Sequence, residues 1–274
     1  MNAIPQLSTI ALTVSQAVAE VRLNRPDVAN ALNEDMWREL RESMQWADTT
    51  PEVRVVVITG AGRHFCSGID LSMLQRVEGH ESSADAARVR ESHRRRILYL
   101  QDCLASIEQC RKPVLAAING ACIGAGVDLI TWCDMRYAAV GTYLSVREID
   151  IGMTADVGTL QRLPRLIADG IARELVYTGR NIDANEAQSI GLVNRVFASV
   201  EALQTGVMEI AQSIAAKSPL AIRGTKEMIN YARDHSVADG LNYIATWNAA
   251  MLPSADRVES MLATREKRPP VFED

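Results

Sequence analysis

Four carboxylates stand in apolar surroundings in this sequence. Glu148, Asp150 and Asp156 fall within 148–156, among Val146, Ile149, Ile151, Met153, Ala155 and Val157. Asp128 lies upstream between Val127 and Leu129. An ionised carboxylate prefers water, and burying one without a partner is costly. Apolar burial also raises its pKa, which suits it to giving and taking protons near neutral pH. For any single acid a capping or surface role is the commoner outcome. Three of them, Asp128, Glu148 and Asp156, close to a small-residue turn point to proton transfer. Asp150 is set apart from these three. Asp150 is therefore assigned a structural role, a hydrogen bond or an ion pair with Arg147 or Arg162.

Two segments share one design. "HFCSGIDL" (64–71) and "NGACIGAGVDL" (119–129) each carry a strand into small residues and then into an apolar helix. Such turns let backbone N–H groups approach a ligand, and a helix start adds unpaired donors and partial positive charge. Brought together, the two turns could aim two N–H groups at one oxygen, as an oxyanion hole does. Glycine turns before helices usually serve packing alone, so the motif by itself is weak. "GACIGAG" lacks the dinucleotide spacing G-x-G-x-x-G, and no Walker A lysine is present. His64, His80, His93 and His235 form no metal-ligand pair, so no metal is expected. Cys66 and Ser67 lack an evident His/Asp partner set for a nucleophile.

The elements that must position these groups are readable in outline. Residues 7–27 predict two short strands joined by a turn, and 33–49 predict a helix capped by Asn33. A buried strand "VRVVVITG" leads into the first turn. Residues 75–93 are polar and predict an exposed loop running into a helix, then an amphipathic helix to Cys110. The second turn predicts strand, glycine turn, buried helix and strand "MRYAAV". From about Val200 strand signals vanish and four helix candidates follow. The chain reads as a mixed α/β body over 1–199 carrying the site, with a helical region over 200–274 whose apolar faces pack on the body or on another subunit.

Composition narrows the function. The 274 residues are 47% hydrophobic and 23% charged, with a net charge of −5. No global basic field favours nucleic acid or a membrane surface. Five cysteines without metal spacing read as free thiols, mostly small core fillers in a reducing compartment. The sequence has no apolar run of membrane-spanning length and starts without a basic, then apolar, leader. These features predict a cytoplasmic protein.

"HFCSGIDL" with "KPVLAAINGACIGAGVDLITWCDMRYA" resembles the crotonase (enoyl-CoA hydratase/isomerase) superfamily. "REIDIGMTADVGTLQRLP" and "RDHSVADGLNYIATWNAAML" look more narrowly like its Δ3,5-Δ2,4-dienoyl-CoA isomerase subgroup. The resemblance runs from "RLNRPDVANALN" to the tail. It implies a spiral of ββα units with a helical C-terminal trimerisation region, and a homotrimer or a dimer of trimers. It implies an acyl-CoA substrate, no cofactor beyond that coenzyme A, and an oxyanion hole from the N–H groups of Ser67 and Ala125. Gly68, Ile69, Asp70, Leu71 and Gly126 are implied to bind substrate. Hydratases of this kind carry glutamates where Asp128 and Glu148 stand, and no acid at Asp156. Asp128, Glu148 and Asp156 together imply proton transfer from C2 to C6 of a 3,5-dienoyl-CoA in fatty-acid β-oxidation. The alternatives are an enoyl-CoA hydratase, a Δ3,Δ2-enoyl-CoA isomerase, or a non-catalytic acyl-CoA binder.

Overall fold

The computed structural model describes residues 2–74 and 85–274. Most of the expected loop over 75–93 lies outside the described residues. Its last part, from Ala86, is already helix.

Strands β1 (Ile10–Ser15) and β2 (Val18–Leu23) form an antiparallel hairpin. Its turn residues Gln16 and Ala17 both take positive φ, the backbone that matches strand twist in a two-residue hairpin. Helix α1 (Glu34–Thr49) follows, with the Asn33 side chain accepting from the Met36 N–H at 3.0 Å. Strand β3 (Val55–Gly60) then runs parallel to β2, and α2 (Ala86–Gln109) crosses back to β4 (Val114–Ile118). Short strand β5 (Ala121–Ile123), helix α3 (Ala125–Trp132), β6 (Met135–Ala139) and β7 (Tyr143–Ser145) come next. Helices α4 (Thr159–Leu166) and α5 (Asp169–Thr178) precede β8 (Ile182–Asp183), α6 (Ala184–Ser189) and β9 (Arg195–Phe197).

The strands form two sheets. The larger has the order β1-β2-β3-β4-β6-β9, and the smaller β5-β7-β8. Successive strand pairs β4/β5 and β6/β7 each give one strand to each sheet, which is the repeating step of a ββα spiral. Alternation along the central strands decides what each sheet face buries. Val56, Ile58, Ala116 and Ile118 enter the main core with α1 and α2. Val55, Val57, Leu115 and Ala117 face the other way. They meet Leu203, Val207, Ala211 and Ala215 of α7 (Val200–Ala215).

Helix α8 (Pro219–Asp234) is tied to the body by Lys226. Its buried ammonium donates to Asp134 Oδ2 at 2.8 Å and to the Lys112 carbonyl at 3.0 Å. Helices α9 (Val237–Met251) and α10 (Ala255–Glu266) stand further out, and α9 buries no residue in the single chain. Among the described residues, no helix is long and apolar enough to cross a membrane.

Candidate active site

The two small-residue turns are laced together by backbone hydrogen bonds. Phe65 N–H donates to the Asn119 carbonyl at 2.7 Å, Cys66 N–H to Ala121 at 3.0 Å, and Ile123 N–H to Cys66 at 2.9 Å. His64 packs behind the turns, where its Nδ1 accepts the Ala121 N–H at 3.1 Å. Gly68 (φ +102°) and Gly124 (φ +54°) supply the left-handed steps. Ala125 therefore keeps ordinary backbone and opens α3, where its N–H has no acceptor within the helix.

The first turn revises the expected oxyanion hole. The Ser67 N–H is already committed to the Ala29 carbonyl at 2.9 Å. Residues Leu32 and Ile69 form an isolated parallel bridge, in which Leu32 N–H donates to Gly68 and Asp70 N–H to Leu32. That pattern leaves the Ile69 N–H pointing away from the bridge, with no acceptor among the described residues. The donor pair available to a ligand oxygen is thus Ile69 and Ala125. The remaining implied substrate-binding residues divide. Gly68, Ile69 and Leu71 line the pocket. Asp70 turns outward to Arg25 at 2.9 Å and caps Ser72, so it is a structural acid. Gly126 lies against Cys66, where an added Cβ would come within 3.0 Å of the Cys66 carbonyl oxygen. Its smallness lets α3 close on the first turn.

A cavity of about 160 Å³ opens in front of these N–H groups. Trp37, Leu100, Ile151, Met153 and Val157 supply apolar wall, and Asp128, Glu148 and Asp156 all reach it. The structure brings the three sequence-predicted acids to one pocket. Asp128 is fully buried on α3. Its Oδ1 accepts the Thr159 N–H at 2.6 Å, while Oδ2 has no hydrogen-bond partner. Burial and then the Glu148 charge push its pKa up to about 7, against the hydrogen bonding from Thr159. Glu148 starts a 3-10 turn over Glu148–Ile151 rather than an extended strand. Its Oε1 lies over Gly124, 3.3 Å from where a Cβ would stand, and its buried Oε2 has no partner. Burial and the nearby Asp156 charge raise its pKa. Burial also raises that of Asp156.

Asp150 is exposed, and neither expected arginine reaches it. Arg147 donates to Ser145 and Asn181, and Arg162 to Thr131 and Glu108. The Asp150 carboxylate rests beside Gly179. All five cysteines are free and buried, as core fillers. Sequence reasoning missed the groups that hold the site from behind: Thr159, Gln101 and Trp132. Their contacts link chain positions 25–55 residues apart. No local spacing announces them.

The model of the family described as enoyl-CoA hydratase/isomerase matches residues 13–274. The chain belongs to the enoyl-CoA hydratase/isomerase family. It is 45% identical to an Arabidopsis thaliana peroxisomal Δ(3,5)-Δ(2,4)-dienoyl-CoA isomerase, over 99% of this chain and 98% of the relative. It is 43% identical to the Homo sapiens mitochondrial enzyme of that name, over 96% of this chain and 82% of the relative. An enoyl-CoA hydratase structure from Bacillus anthracis superposes with a TM-score of 0.86 at 34% identity, covering 97% of this chain and 99% of the other. The crotonase fold is therefore as expected. The cytoplasmic expectation is overturned, because these isomerases are peroxisomal or mitochondrial proteins. Composition and an unremarkable start to the sequence carry no information that separates those compartments from the cytoplasm.

Proposed function

We propose that the chain is a dienoyl-CoA isomerase that converts 3,5-dienoyl-CoA to 2,4-dienoyl-CoA. The observation that carries this reading is the third acid, Asp156, in the same apolar pocket as Asp128 and Glu148 and two free N–H groups. The thioester oxygen sits on the N–H groups of Ile69 and Ala125. Glu148 adjoins Gly124, the residue before that donor, which sets its carboxylate beside the carbon next to the thioester. It takes the C2 proton. Charge developing on the thioester oxygen is stabilised by the two donors, usually the largest single contribution in such chemistry. Double bonds re-form at C2–C3 and C4–C5 as Asp156 gives a proton to C6. Glu148 is then protonated and Asp156 ionised, so the proton must return before the next turnover. Asp128 lines the pocket and biases the pKa values of its neighbours, because close buried carboxylates resist joint ionisation. The overall change is a proton shift without net oxidation, so the reading calls for no cofactor beyond the substrate's coenzyme A.

Members of this family act on acyl-CoA thioesters and typically oligomerise. For this chain we favour a homotrimer or a dimer of trimers built on the outer helices. Leu241, Val258 and Met261 there are each more than half exposed in the single chain. Light scattering of the purified protein measures that directly.

The decisive experiment mixes pure protein with 3,5-octadienoyl-CoA and follows the ultraviolet band of the conjugated 2,4-dienoyl thioester. The band grows with wild type. Glu148→Gln and Asp156→Asn each slow it by roughly 10²–10⁴-fold, the range for a positioned acid or base. No growth, or unchanged rates in both variants, overturns the reading. Hydration of crotonyl-CoA at a higher kcat/KM would favour the hydratase alternative.

A further inference from the structure

The Asp156 carboxyl group receives no hydrogen bond from a neighbouring residue among those described. Its placement therefore comes from the backbone that carries it. That backbone is gripped at successive points. Gln101 Nε2 on α2 donates to the Asp156 carbonyl at 2.6 Å. Trp132 Nε1, at the end of α3, donates to the Val157 carbonyl at 2.9 Å. Gly158 then takes φ +135°, and an added Cβ would fall 2.4 Å from Trp132 Nε1. The Thr159 N–H closes the run on Asp128. Chain and indole interlock: the glycine supplies both the conformation and the space that the ring needs.

The ring is itself held. The Arg162 guanidinium lies over it at 4.2 Å from the centroid. Arg162 donates to the Thr131 carbonyl at 2.7 Å and to Glu108 at 2.8 Å, and Arg233 of α8 grips the other Glu108 oxygen at 3.0 Å. Behind this stack lies a cavity of about 370 Å³, lined by Trp132, Glu108, Arg162 and Arg233. The ring therefore has room to swing if its restraints are removed. A misplacement of about 1 Å at a reacting group can cost a hundredfold in rate.

We propose that Trp132 is a positioning residue for the reaction, acting through the Val157 carbonyl and Gly158 to fix where Asp156 delivers its proton. Glu148 hangs from a different segment, after β7, and none of these restraints touches it. The inference rests on the isomerase reading above. It separates the two acids: loosening Trp132 disturbs proton delivery and spares proton removal.

The test uses 3,5-octadienoyl-CoA deuterated at C2. Release of deuterium into water reports Glu148, and the 2,4-dienoyl band reports completion through Asp156. Trp132→Phe keeps an aromatic ring and removes the N–H. Product formation should fall roughly tenfold to a hundredfold, with KM little changed and deuterium release near the wild-type rate. Gln101→Leu, which frees the adjacent carbonyl from another helix, should give the same split. Folding of each variant is checked by thermal unfolding. Product formation at the wild-type rate in folded Trp132→Phe overturns the proposal, as does an equal fall of both readouts in both variants. Asp156→Asn is the benchmark: if it does not produce the split while wild type turns over, the assignment of Asp156 fails, separately from the role of Trp132.

Discussion

Glu39 and Asp128 are both buried helix carboxylates, and their surroundings differ in nearly every respect. Glu39, on α1, accepts from the N–H and hydroxyl of Ser8 at 2.9 and 2.7 Å, and of Thr9 at 2.8 and 2.7 Å. Arg38 adds a cation at 3.4 Å. Burial pushes the Glu39 carboxyl up, but these hydrogen bonds outweigh it and hold the group below its ordinary range. Asp128 has one backbone N–H, one orphaned oxygen and two acidic neighbours. Its group is held above the ordinary range. Full satisfaction marks a carboxylate that fastens the chain, here the entry to β1 onto α1. Half satisfaction at equal burial marks one kept for chemistry, where the fold tolerates a cost it does not relieve.

That contrast makes its strongest prediction at Asp128. The folded pKa exceeds the unfolded one, so the native state binds more protons between the two values, and stability falls as pH rises from about 4 to about 7. A shift from 3.8 to about 7 corresponds to roughly 4 kcal/mol at full ionisation, as an upper bound. Asp128→Asn keeps an acceptor for the Thr159 N–H and cannot ionise. It should stabilise the protein by about 2–4 kcal/mol at pH 8 and by little at pH 4, while lowering turnover. Urea unfolding at the two pH values measures this. An equal change at both would mean that Asp128 carries no ionisation penalty.

Glu39 should behave in the opposite sense. Glu39→Ala strands the Ser8 and Thr9 donors and should cost about 2–3 kcal/mol near neutral pH. Its folded pKa is depressed, so the contribution is present above the ordinary value of 4.5 and is lost as pH falls below it. Activity per folded molecule should be unchanged. A comparable activity loss in Glu39→Ala and Asp128→Asn would erase the distinction drawn between them.

How far the sequence reveals this contrast depends on the range of the interactions. Asp128, Glu148 and Asp156 are legible because each is an acid set among apolar neighbours, which is a local property. The small-residue turns at Gly68 and Gly124 are legible for the same reason. Glu39 gives no signal, since "WRELRES" reads as an ordinary amphipathic helix face and its partners lie some 30 residues upstream. The exchange of Ser67 for Ile69 as oxyanion donor is subtler. Which N–H is free depends on the bridge to Leu32 and the bond to Ala29, neither of which has a local trace. Asp150 misses its expected arginine because the 3-10 turn leaves it exposed while Arg162 is held by Thr131 and Glu108, contacts that the local sequence does not show.

The smallest predicted effect concerns like charge. Glu39 has a cation beside it, whereas Glu148 titrates against Asp156, whose charge raises it after burial has done so. Asp156→Asn removes that charge and leaves the burial. The acid limb of deuterium release from C2-deuterated substrate should then move to lower pH than in wild type, though Glu148 stays above its ordinary value. The direction follows because a lost negative neighbour favours the ionised form. The two acids titrate as a coupled pair, so the limb also reports proton order. A downward shift means that Asp156 is ionised while Glu148 titrates, so the free enzyme holds its last proton on Glu148. That proton must then reach Asp156 before C6 can be protonated. An unmoved limb means that Asp156 keeps its proton throughout, and the resting enzyme is already set to deliver it.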